Sequence, residues 1–75
     1  MVNSKEFLSF SIQGRLRLLE LYGDLIFEKI TFKEGHSVFT INRFYVVVIK
    51  DVVLNAVIAA EPVLSPEQLK FYLKL

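Results

Sequence analysis

The chain has 75 residues, no cysteine, a formal net charge of +1 and a mean hydropathy of +0.46. One small domain over residues 1–75 follows, with no disulfide or thiolate metal site to reinforce it. Both charge signs are spread along the chain, which excludes the basic field that phosphate neutralisation demands, and a hydrophobic fraction of 53% excludes intrinsic disorder.

In chain order, Ser4 is placed to cap a short turn through Lys5, Glu6, Phe7 and Leu8. Ser11 is placed to cap a second helix with Ile12, Leu16 and Leu19 on one stripe. Gly14 weakens its first turn, and Gly23 follows it as a residue that tolerates a left-handed ending. A strand reading of Leu8, Phe10 and Ile12 competes, but the Leu-rich stretch Arg15–Tyr22 favours helix. Leu25–Lys33 alternates and is rich in Ile, Phe and Thr, which predicts a strand, and Glu34-Gly35 supplies a turn. A single strand from His36 to Lys50 would be about twice the usual length. Asn42-Arg43 can divide it, because Asn accepts a positive φ, into Ser37–Ile41 and Phe44–Lys50. Asp51–Asn55 makes the next turn, and Ala56–Glu61 the last strand, ended by Pro62. The register of that strand stays open, because one residue more in its turn exchanges Val57 for Ile58 on the core side. Ser65 as N-cap, Pro66 at N1 and Gln68 at N3 predict a capping box, with Leu64 and Leu69 as its staple. A helix from Pro66 to about Lys74 follows, with Leu69, Tyr72 and Leu73 inward.

With two-residue turns at Glu34-Gly35 and Asn42-Arg43, one sheet face collects Ile26, Ile30, Phe32, Phe39, Ile41, Phe44, Val46 and Val48. Only Glu28 and Ser37 interrupt that face. Glu28 reads as an edge residue that reaches solvent or pairs with Arg15 or Arg17. The expected fold is α+β: an N-terminal helix or helix pair, a four-stranded antiparallel meander and a C-terminal helix, with the helices on this one sheet face. The most apolar window, Phe44–Ala60, carries Lys50 and Asp51 at its centre, where each would cost about 2.5–3.5 kcal/mol in a bilayer. A membrane span is therefore not expected. Without a basic and then apolar leader at the N-terminus, a cytoplasmic location is the expectation.

Tyr22-Gly23, the run Phe44-Tyr45-Val46-Val47-Val48 and the Asp51…Asn55 turn resemble small uncharacterised bacterial proteins of unknown function with a helix, antiparallel β-meander, helix layout. The resemblance covers Ser11 to Glu61. Such proteins often carry an acidic residue where Val47 stands and polar residues where Val52 and Val53 stand; this chain is apolar at all three. The resemblance implies the layout and no functional residue.

Chemistry has few candidates. His36 stands next to Gly35 in the expected turn, where histidines are usually solvated, and only Glu34 and Ser37 adjoin it. No catalytic, cofactor or metal site is expected. Arg15 and Arg17 lie two apart on a helix and diverge, as on a solvated face. Strand Phe44–Ile49 is apolar on both parities, however, so both of its faces need cover. With the helices on one side, the other presents Tyr45, Val47 and Ile49, with Val38 beside them, as an interface. Val53, in an apolar turn with Val52 and Leu54, folds back on the core or extends that interface. The expected function is a small non-enzymatic interaction protein, a homodimer or an accessory or inhibitor of another protein. The alternative is a weak nucleic-acid binder using this face with Lys29, Lys33 and Arg43, and a small enzyme stands third.

Overall fold

The computed structural model describes residues 2–73, apart from the side chains at 71 and 73. The order is α1 (Ser4–Leu8), α2 (Ile12–Tyr22), β1 (Asp24–Thr31), β2 (Glu34–Ile41), β3 (Phe44–Asp51), β4 (Ala56–Pro62) and α3 (Pro66–Leu73). The four strands form one antiparallel meander in the order β1-β2-β3-β4, so the expected α+β layout is present.

The cap of α1 is Asn3, one residue before the Ser4 expected. Its side chain accepts from Glu6 N–H at 2.8 Å while Glu6 Oε1 accepts from Asn3 N–H at 3.1 Å, a complete capping box. Ser11 caps α2 as expected, through Gly14 N–H at 3.1 Å. Gly23 ends α2 in an extended conformation (φ −88°), not a left-handed one. Its glycine identity answers to close approach, since a Cβ there would stand 2.8 Å from the Leu19 carbonyl oxygen. At α3, Gln68 Oε1 accepts from Leu64 N–H at 3.1 Å, one residue before the Ser65 partner of the expected box. Lys74 and the inward placement of Leu73 lie outside the described residues.

The Asn42-Arg43 turn is as expected: Ile41 pairs with Phe44, and φ is 42° and 70° at the two central residues, the type I′ pattern that matches strand twist. The β1–β2 turn is not. It lies at Phe32-Lys33, with Thr31 opposite Glu34 and Gly35 inside β2 opposite Ile30. This turn has no positive φ, so it needs no glycine. Each partner moves by an even number of residues, and the division of side chains between the faces survives from Phe27 onward. In β4 a bulge at Ile58 resolves the open register, because Lys50 pairs with Val57 and Ile49 with Ala59. Val57 packs against the core and Ile58 is exposed.

α1 and α2 cover one face. Phe7 and Leu19 pack there with Ile41, Val46, Val48 and Ala60, and the Phe7 ring meets Phe44 edge-on at 5.7 Å. The expectation that all helices share this face is overturned for α3. Its Tyr72 packs with Val38 and Val47, flanked by Leu69, Val63, Phe27 and Ile49, on the opposite side. The reason lies in β3, whose odd-numbered residues are as apolar as its even-numbered ones, so the chain uses its own last helix to cover them. Ile26, Ile30 and Phe32, placed in the core by the sequence pattern, are exposed instead. The helix pair packs on β2, β3 and β4, at the end holding Ile41 and Phe44, and Ile26 and Ile30 of outer strand β1 stay exposed.

Arg15 ties this layer together. Its guanidinium donates to the carbonyls of Leu8 (2.8 Å), Phe10 (2.9 Å) and Ala60 (3.0 Å), and lies 3.6 Å from Glu61. Its side chain is only 13% exposed, against 68% for Arg17. The solvated-face reading holds for Arg17 and fails for Arg15.

Candidate functional site

The five residues expected to form an interface separate in the fold. Val38 and Val47 are buried beneath α3, Ile49 is partly buried there, and Tyr45 borders the same helix. The face expected to be open is thus occupied by α3, and Val53 alone of the five is broadly exposed.

α3 is held by a polar chain that the sequence reading missed. His36 lies inside β2, not in a turn, and its Nε2 stands 3.0 Å from Glu34 Oε1 while Nδ1 stands 2.8 Å from the Tyr72 hydroxyl. Glu34 and His36 share a face by strand alternation. An ionised carboxylate only accepts, so Nε2–H donates to Glu34, and in the neutral imidazole Nδ1 then accepts from the Tyr72 hydroxyl. Burial, with the Glu34 charge as a second cause, raises the Tyr72 pKa above its ordinary value near 10. That keeps the phenol protonated at neutral pH, which opposes a role as base. With both imidazole nitrogens engaged, the arrangement acts as a latch for α3. Beside it lies an apolar groove of about 270 Å³ between α3 and the β3–β4 side of the sheet, walled by Val47, Ile49, Pro62 and Val63. Among the described residues, no three His, Cys, Asp or Glu side chains converge to hold a metal ion.

A group of strongly exposed apolar side chains lies elsewhere, at the end of the sheet away from the helix pair. There Phe32 is 94% exposed, Ile30 79%, Leu54 73% and Val53 72%, with Val52 half-exposed beside them. The two turns are fastened together, since Val52 N–H donates to the Lys33 carbonyl at 2.9 Å. In the β3–β4 loop, Leu54 N–H donates to Asp51 Oδ1 at 2.9 Å and Asn55 takes a φ of 54°. Short local bonds thus hold the aliphatic side chains outward. These five side chains present about 600 Å² of apolar surface, at the upper limit for the largest patch of a monomeric protein.

Behind this rim, on the face shared with the helix pair, lies a shallow depression of about 270 Å³. Ile30, Gly35, Ser37, Lys50, Val52 and Glu28 line it. The Ser37 hydroxyl is 3.5 Å from Glu28 Oε2, and neither arginine reaches that carboxylate. A Cβ added at Gly35 would meet one atom, Val52 Cγ2 at 3.9 Å. Lys33 and Arg43 occupy turns at opposite ends of eight-residue β2, roughly 25 Å apart.

The chain matches no protein-family model, no curated protein and no solved structure. No described helix is long and apolar enough to cross a membrane.

Proposed function

We propose that this chain is a non-enzymatic interaction protein, working in the cytoplasm, which binds another protein chain, its own copy or a different one. The contact surface is the apolar end of the sheet at Ile30, Phe32, Val52, Val53 and Leu54. The observation that carries this reading is the exposure of five large apolar side chains, from half for Val52 to nearly complete for Phe32, on and beside two turns fastened to each other. Water-exposed turns normally carry polar residues, so an apolar rim of this extent is the mark of a surface covered in use. It replaces the Tyr45–Val47–Ile49 stripe as the proposed contact and retains Val53.

The other readings have weaker support. A sheet-face nucleic-acid site would need Lys29, Lys33 and Arg43 around one groove, and α3 lies on the face where they were expected to converge. An enzyme built on His36 would need a free imidazole nitrogen.

A photo-crosslinking amino acid placed at position 32 or 53, and at the control positions 13 and 70, tests the proposal in cells that make the protein. Positions 32 and 53 are expected to yield discrete adducts, identified by mass spectrometry, and the controls none. Absence of a discrete adduct from both rim positions overturns the reading.

A further inference from the structure

Among the described residues, nothing requires Gly35 to be glycine. Its φ lies outside the left-handed region, and a side chain there would enter open space with one ordinary contact at 3.9 Å. A glycine inside a strand forgoes packing and weakens the strand. Where neither a turn nor a close neighbour requires it, its effect is to keep a surface low for something that approaches from outside.

The same molecule carries a side chain shaped to approach. Phe32 sits in the adjoining turn, 94% exposed, with the Lys33 ammonium 5.3 Å from its ring centroid. Projection and depression lie three positions apart in the chain and one strand pairing apart in space, since Thr31 opposes Glu34 and Ile30 opposes Gly35. A two-fold interface requires such self-complementarity, residue i of one copy meeting j of the other and j meeting i. We infer that the occupant of this surface is a second copy of the chain, Phe32 of each copy entering the depression over Gly35 of its partner. This rests on the interaction reading above and names its partner.

Further features fit two copies. The depression of about 270 Å³ can receive a benzyl group between the Ile30 and Val52 walls. Two rims of about 600 Å² offer at most about 1,200 Å² together, which reaches the lower limit for a specific interface. The helix pair packs near Ile41 and Phe44, at the end of the sheet away from Phe32 and Gly35, and so does not stand over the proposed contact. Glu28 on β1 and Lys50 on β3 stand on either side of the depression. Direct strand addition at β1 is the poorer arrangement, because the bulge between Leu25 and Phe27 bends that edge and Glu28 and Lys29 charge it.

Sedimentation velocity on the full chain, the Phe32→Ser variant and the Gly35→Leu variant tests the inference, with far-UV dichroism and thermal melting as controls for folding. At about 10 μM the wild type is expected to sediment as a dimer, and each variant as a monomer with its dissociation constant raised roughly a hundredfold. Phe32→Ser removes an exposed side chain, so it keeps the test valid should Gly35→Leu disturb the fold. A wild type that stays monomeric to about 1 mM, or a dimer indifferent to Phe32→Ser, overturns the inference. If the wild type is monomeric while position 32 crosslinks to a different protein, the second-copy inference falls and the interaction reading stands. If the wild type is monomeric and neither position 32 nor position 53 gives an adduct, both fall.

Discussion

Replacing Arg15 by alanine removes three hydrogen bonds that one guanidinium donates, two to the turn between the N-terminal helices and one to Ala60 of β4. The Leu8 and Phe10 carbonyls are exposed and can rehydrate, so each contributes near the low end of the usual range, about 0.5 kcal/mol. The Ala60 carbonyl is partly buried and its bond is to a charged donor, which is worth about 1.5 kcal/mol or more. The ion pair with the mostly exposed Glu61 adds little, well under 1 kcal/mol. The expected loss is about 2–3 kcal/mol, which lowers the melting temperature of a domain this size by roughly 10–20 °C. Urea and thermal melts at one fixed protein concentration measure it, since any self-association makes the melt concentration-dependent. Arg15→Lys should recover less than half, because an ammonium cannot reproduce the planar fork. Arg17→Ala, at a site whose only partner among the described residues is Glu20 at 3.9 Å, should stay within about 0.5 kcal/mol of wild type. If Arg15→Ala is no more destabilising than Arg17→Ala, the guanidinium does not hold the helix pair to β4.

Three further outcomes are expected. The raised Tyr72 pKa means the folded state keeps a proton that the unfolded chain releases near pH 10; stability should be unaffected by this group below pH 10 and fall as pH rises past it, and Tyr72→Phe should flatten that fall in pH-dependent urea melts. Arg43→Gly relieves a non-glycine residue at φ 70° and should stabilise by about 1 kcal/mol in the same melts, unless the turn adopts another form. Gly23→Ala places a Cβ 2.8 Å from the Leu19 oxygen and should destabilise by more than about 1 kcal/mol; a neutral result would mean α2 can shift away from β1 at no cost.

The meander was legible because its signals are local. Asn42 tolerates the φ that a two-residue hairpin demands, and Phe44–Ile49, apolar on both sides, forecasts a strand covered on both. What covers the second side was not legible. The Leu69 and Tyr72 stripe marks an inward side of α3 without saying which sheet face it meets, and β4 leads into the helix through Val63 on the Val47 side. The β1–β2 turn misled for a related reason. Gly35 is the obvious turn former, yet Phe32-Lys33 turns without a positive φ, and the pairing of Glu34–Ile41 with Phe44–Asp51 extends β2 through the glycine. Phe32 consequently leaves the strand and enters solvent, which converts an expected core residue into the most exposed one of the rim. His36 was read as solvated because its decisive neighbour, Tyr72, is 36 positions away; only the register that puts His36 beside Glu34 on the α3 face brings them together.

The meander also sets an order of assembly. Its connections are two, two and four residues long, so each hairpin closes locally and quickly. The helix pair depends instead on β4, with Arg15 reaching Ala60 across 45 positions of chain. The layer over Val46 and Val48 is therefore complete only when β4 is in place beside them. Arg15→Ala should accordingly quicken unfolding while leaving the folding rate nearly unchanged, because the contact it removes forms after the sheet.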